Sequence, residues 1–137
     1  YHEPANMFVA GFVGQMNFLT GVLEDGGVKL GDGSVLPVPD SVKAKTSALN
    51  GRAVVLGFRP EHVLPESAPE HGPVFDVTPE RVEMLGSEQM IYFPFCGQSV
   101  VARWASDISA PEAQTMKVKI EIGKALLFDG ATEDRIL

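Results

Sequence analysis

Ala53-Val54-Val55-Leu56-Gly57-Phe58-Arg59-Pro60-Glu61-His62-Val63 decides how the rest of the chain is read. Its apolar run predicts a buried strand. Pro60 ends that strand, because proline has no N–H to give a ladder and holds Arg59 before it extended. The strand therefore stops sharply and presents Arg59, Glu61 and His62 at its exit. A guanidinium and a carboxylate two positions apart suit the bracing of neighbouring loops by charge-assisted hydrogen bonds. The residues alone read as a structural strand end, and a sharper reading needs the rest of the chain.

Upstream, Asn17 to Leu23 is strand-like. Asp25-Gly26-Gly27 and Gly31-Asp32-Gly33 are turn signals that set off Val28-Lys29-Leu30 and Ser34 to Val38, a three-stranded meander. Asp40 to Asn50 fits a short capped helix or a loop equally well. Residues 1–14 carry the one helical pattern: Phe8 and Phe12, and Val9 and Val13, form a single apolar stripe, with Pro4 in the first turn and Gly14 as the end. So short a helix is marginal alone, and its stripe needs a surface to pack on.

Downstream, Leu64 to Pro73 reads as a solvated loop. Val74 to Leu85 reads as a long strand interrupted by Pro79, turning at Gly86-Ser87 into a partner, Gln89 to Phe93. A turn at Gly97-Gln98 leads to Ser99–Trp104. Met116 to Ile122 alternates apolar with charged residues, and Ala125 to Phe128 is a last strand. About nine short strands without a βαβ rhythm predict a small antiparallel barrel with one short N-terminal helix.

Composition narrows the function. At 137 residues the chain is one domain with or without a small appendage. A net charge of −7 argues against nucleic acid and anionic lipid as partners. The single Cys96 excludes an internal disulfide and any thiolate-built zinc site. No apolar run reaches the roughly 20 residues of a membrane helix. Starting at Tyr1, the chain reads as a fragment of something longer.

Catalytic patterns are absent from the sequence. It holds no G-x-x-x-x-G-K-S/T loop, no G-x-G-x-x-G and no G-x-S-x-G. His2, His62 and His71 lack metal-ligand spacing and read as surface or loop residues. Cys96 reads as a packed thiol in a strand-like run. Trp104 and Phe93 alternate with apolar neighbours and read as core rather than as a stacking platform.

Several stretches together resemble one family, the ATP-binding subunits of ABC importers for sugars, polyols and glycerol phosphate, of the maltose-importer type. Tyr1 to Asn6 and Phe8 to Gly14 look like the closing helix of the ATPase domain, and Met16-Asn17-Phe18-Leu19 the entry to the regulatory barrel. Leu56 to His62 resembles the G-[IVF]-R-P-E-H signature. Val82-Glu83-Met84-Leu85-Gly86-Ser87-Glu88 resembles V-E-x-L-G-x-E, and Leu127-Phe128-Asp129 with Arg135-Ile136 the closing F-D-x-x-T-G-x-R-I. Two departures stand out: Gly14-Gln15-Met16 is two residues shorter than the usual Ser-Pro-containing link, and Glu133 replaces a glycine.

The resemblance implies an OB-like, TOBE-type β domain over residues 15–137, with 1–14 closing the missing ATPase domain. It implies a non-catalytic regulatory and dimerisation role, with no cofactor here because ATP and Mg are bound by the missing domain. The implied partners are that ATPase domain, a second copy of the subunit and the membrane subunits, on the cytoplasmic side of the membrane without insertion into it. Phe8, Val9, Phe12 and Val13 are then expected to face the ATPase domain. The exposed parts of Met16, Asn17 and Phe18 and the Arg59, Pro60, Glu61 exit are expected to meet the second subunit or a regulator. The competing expectation is a small-oxyanion module using Ser87, Ser99 and Thr115.

Overall fold

In a computed structural model of the chain, residues 15–24, 26–38, 48–132, 134 and 136 are described. The expected helix with Phe8, Val9, Phe12 and Val13 lies outside the described residues, as does most of Asp40 to Asn50. What is described is almost entirely β. Eleven strands run in the order β1 (Asn17–Glu24), β2 (Gly27–Leu30), β3 (Val35–Pro37), β4 (Ala53–Phe58), β5 (Val63–Pro65), β6 (Val74–Val77), β7 (Arg81–Leu85), β8 (Glu88–Phe95), β9 (Gln98–Ala105), β10 (Met116–Ile120) and β11 (Leu126–Asp129).

They form three antiparallel sheets. The largest has the order β11-β4-β1-β2-β3, the others β5-β10-β6 and β7-β8-β9. The expected meander is the β1-β2-β3 half of the first sheet. β4 lies inside that sheet, paired to β1 from Asn17↔Phe58 to Val22↔Ala53 and to β11 from Leu126↔Gly57 to Asp129↔Val54. Its residues 54–58 are all buried, the pattern of a strand covered on both faces. Gly57 is needed for close approach: a Cβ there would stand 3.0 Å from the Phe128 ring and 2.8 Å from the Met16 methyl.

One core joins all three sheets. Leu19, Phe58 and Val63 meet Ile91, Val100 and Ile120 there, none more than 2 % exposed. Trp104 and Phe93 are buried in it, as their alternation predicts. Side chains also stitch sheet to sheet. Asn17 Nδ2 donates to the Val101 carbonyl at 2.8 Å while the Val101 N–H donates back to Asn17 Oδ1 at 2.9 Å, fixing β1 against β9. Trp104 Nε1 donates to the Val63 carbonyl at 2.7 Å, fixing β9 against β5.

Three expectations are corrected. The long strand from Val74 to Leu85 is two strands in different sheets, β6 with β10 and β7 with β8. Pro79 between them cannot extend a ladder, so the chain changes partner there. Leu64 and Pro65, read as the start of a solvated loop, form with Val63 a short strand on β10. It lies at the edge of its sheet, where a proline is tolerated. The β8–β9 turn is centred one residue earlier than expected, on Cys96 and Gly97 at φ 53° and 77°. Two positive φ values make a hairpin whose twist matches its strands, and Cys96 takes a left-handed position that L residues rarely adopt.

Candidate functional site: the exit of the central strand

β4 ends at Phe58, and Arg59 remains extended at φ −81°, ψ 152°. Pro60–His62 then makes one 3-10 turn, with Pro60 buried and the His62 N–H donating to the Arg59 carbonyl at 2.9 Å. Proline at the start of the turn loses no hydrogen bond, since its missing N–H would have no partner inside the turn. The sequence thus folds into a corner that passes the chain from the five-stranded sheet to β5.

The corner is densely tied. Arg59 is 7 % exposed, and its Nη1 donates to the Gln15 carbonyl at 3.2 Å, clasping the segment that leads into β1. Glu61 pairs with Arg103 at 3.3 Å, and Arg103 also meets Glu88 at 3.7 Å, linking the turn to β9 and β8. The His62 carbonyl accepts from the Glu121 N–H at 2.9 Å. Bracing of loops by Arg59 and Glu61 is what their types and spacing predict. His62, read as a surface residue, is only partly exposed, and its Nδ1 is enclosed without a hydrogen-bond partner among the described residues.

A cavity of about 260 Å³ opens beside this corner. Met16, Phe58 and Leu126 supply apolar walls, and Arg59, Glu61, His62 and Lys124 the polar ones. Met16 and Phe18 are partly exposed, and Phe18 packs edge-on to Phe128 with ring centres 6.3 Å apart. Asn17 between them is buried and turned to Val101, so its side chain holds two sheets together. The structure therefore brings Met16, Arg59 and Glu61 to one cavity, with Pro60 buried in the turn beneath them and Asn17 inside the core. Lys124, on the turn after β10, joins them unforeseen. No local pattern in the sequence marks it, because the turn that carries it reaches the corner only through the pairing of β10 with β5.

Elsewhere the chemistry is modest. Ser87, Ser99 and Thr115 are exposed, and the pairs Glu88↔Ala105 and Pro94↔Ser99 put Ser87 and Ser99 at opposite ends of the β8–β9 hairpin. Thr115 shares a hydrogen bond with Thr78 at 3.2 Å. Within one chain the three hydroxyls form no cluster. Burial, and then the neighbouring Asp32, push the Cys96 thiol up, which disfavours a nucleophilic thiolate. The backbone N–H groups of Thr132 and Ala131, together with Arg52 at 3.2 Å, hold the Asp129 carboxyl below its ordinary value. Among the described residues, no three His, Cys, Asp or Glu side chains are placed to hold a metal ion. No helix among them is long and apolar enough to cross a membrane.

Comparison with known proteins bears on this geometry. Residues 15–63, from the clasped segment through the corner, match the MalK OB fold domain. The chain is 35% identical over 140 residues to the sn-glycerol-3-phosphate import ATP-binding protein UgpC of Chromobacterium violaceum, covering 99% of this chain and 36% of that protein. It is 37% identical to the osmoprotective compounds uptake ATP-binding protein GgtA of Synechocystis, with 99% and 39% covered. It is 31% identical to the oligosaccharides import ATP-binding protein MsmX of Bacillus subtilis, again with 99% and 39% covered. The chain thus spans well under half the length of these relatives. In fold it is similar to the cytoplasmic molybdate-binding protein ModG, with a TM-score of 0.62 over 81% of this chain and 94% of that one, at 14% identity. The chain is similar along nearly its whole length to the ATP-binding subunits of ABC importers, and it has an OB-like β fold whose residues 15–63 match the MalK OB fold domain.

Proposed function

We propose that this chain is the regulatory and dimerisation part of the ATP-binding subunit of an importer for sugars or related solutes, and that it hydrolyses nothing itself. The observation that carries the reading is the strand exit. The residue types most able to do chemistry, Arg59 and Glu61, hold the segment leading into the domain and the neighbouring sheet in place. In this reading ATP and Mg are bound by an ATPase domain preceding residue 15, against which Phe8, Val9, Phe12 and Val13 pack. A second copy of the subunit and the membrane subunits complete the assembly on the cytoplasmic face. Met16, Phe18 and the Arg59-Pro60-Glu61 corner lie where the chain enters the domain, a place from which motion of an attached ATPase domain would be felt. Nucleic acid has no place in it, given the net charge of −7.

The test uses the intact subunit in its transporter. Arg59→Glu is expected to weaken pairing of the subunits and to uncouple transport from ATP hydrolysis, while Arg59→Lys retains most of both. Normal pairing and normal transport in the charge-reversed protein would sink the proposal.

A further inference from the structure

We infer that the cavity at the β4 exit is a binding site for a small organic anion, one carboxylate or phosphate head on a compact apolar or neutral body. Three observations point there together. First, a partly open cavity of about 260 Å³ lies at the corner, room for no more than a compact small molecule. Second, its walls are divided as a ligand site requires, with Met16, Phe58 and Leu126 on one side and nitrogen-bearing side chains on the other. Third, His62 lines the same cavity, and its Nδ1 is enclosed without a hydrogen-bond partner among the described residues. An enclosed ring nitrogen without a partner costs free energy, which a ligand oxygen relieves once the ring turns to bring Nδ1, itself almost without accessible surface, to the cavity.

Charge decides the class of head group. Lys124 stands exposed at the rim on the Ile122–Lys124 turn, a mobile ammonium able to close over an oxygen atom. Glu61 is the one acidic residue among those lining the cavity, and it shares Arg103, 3.3 Å away, with Glu88. Arg59, already engaged with the Gln15 carbonyl, stands in the same wall, so Lys124 is the cation that a head group would draw over. A neutral ligand would leave this arrangement unused, and a cation would meet three basic side chains. A second depression, along Thr20 and Gly21, pairs its Lys29 with Glu24 at 3.8 Å and has no such bias.

A ligand here would touch Met16, next to the residue whose carbonyl Arg59 holds, and so would stiffen the point where the chain enters the domain. The experiment follows the His62 imidazole signals of the 137-residue chain by NMR. The probes are phenyl phosphate, benzoate and the uncharged benzyl alcohol. Saturable shifts with phenyl phosphate or benzoate but not with benzyl alcohol are expected, and the stronger of the two names the head group. Lys124→Gln is expected to weaken that binding about tenfold, the effect of losing one charge-assisted contact. His62→Gln, which keeps a donor in the cavity, is expected to bind with the affinity retained within a few-fold, as judged by calorimetry. Equal response to all three probes would mean a merely apolar pocket, and no saturable response would mean no site. Either result overturns the inference, as does unchanged affinity in Lys124→Gln. Since the readout is binding to this chain alone, failure here leaves the proposed role in the importer untouched.

Discussion

Two stretches carry the most recognisable motifs, and the structure treats them in opposite ways. The corner at Arg59-Pro60-Glu61-His62 follows a strand buried on both faces, and two of its side chains and one backbone carbonyl reach three other parts of the molecule. The hairpin Val82 to Glu88 stands at the edge of the three-stranded sheet, with Met84 58% and Leu85 54% exposed. Its tip is the two-residue turn Gly86-Ser87, with Gly86 at φ 72°, a conformation that favours glycine. Near its base Arg81 lies 4.0 Å over the Tyr92 ring, opposite it in the ladder. The corner is held by contacts that cross the molecule, whereas the hairpin rests mainly on its own turn and cross-strand pairs. The Val82 N–H to Glu112 at 3.1 Å and the Ser106 N–H to the Ser87 carbonyl at 2.9 Å are among its ties outside them. A recognisable stretch of sequence therefore says little by itself about whether a fold depends on it.

The contrast is broken most directly at Asn17, which pairs with Phe58 beside the corner. Asn17→Ala strips both partners from the buried N–H and carbonyl of Val101, and an orphaned buried polar group costs about 1–3 kcal/mol. A loss of about 2–4 kcal/mol in urea unfolding is expected. A loss below about 0.5 kcal/mol, the size of an ordinary surface effect, would place the corner on a par with the hairpin tip.

Acid sharpens the comparison at the far end of β4, where Asp129 pairs with Val54. Its folded carboxyl titrates below the unfolded value because the N–H groups of Thr132 and Ala131 donate to it, with Arg52 adding to the effect. Such a group stabilises the fold above its unfolded pKa, and that contribution drains away as pH falls through the folded one. The wild type is expected to lose stability more steeply than Asp129→Asn below about pH 4. Thermal melts at stepped pH check it, and parallel curves would remove Asp129 from the account. At the hairpin tip the expected effect is smallest. Met84→Ser with Leu85→Ser should shift stability by no more than about 0.5 kcal/mol, because little of either side chain is withdrawn from water.

Much of this architecture was legible in the sequence. The apolar run of β4, the turns that set off β2 and β3 and the alternation of β10 each follow from a local period. What escaped was set by distant partners. Asn17 reads as an exposed polar residue at a strand start until Val101, 84 positions away, is folded against it. Val63–Pro65 becomes a strand only because β10 pairs with it, at a sheet edge where Pro65 is tolerated. Pro79 was visible as an interruption, but that it sends β6 and β7 into different sheets depends on the rest of the core. The candidate site divides the same way: Arg59 and Glu61 were legible, whereas Lys124 and the enclosed nitrogen of His62 were not.

The placing of β4 between β1 and β11 has a consequence for synthesis. Its first neighbour is made before it, but its second emerges from the ribosome only after every other strand described. Until then one flank of the most apolar strand stays unpaired, inviting the wrong neighbours. Closing so long a loop is also slow compared with forming the local hairpins. Nascent chains stalled just short of Leu126 should therefore be the ones that most need a chaperone.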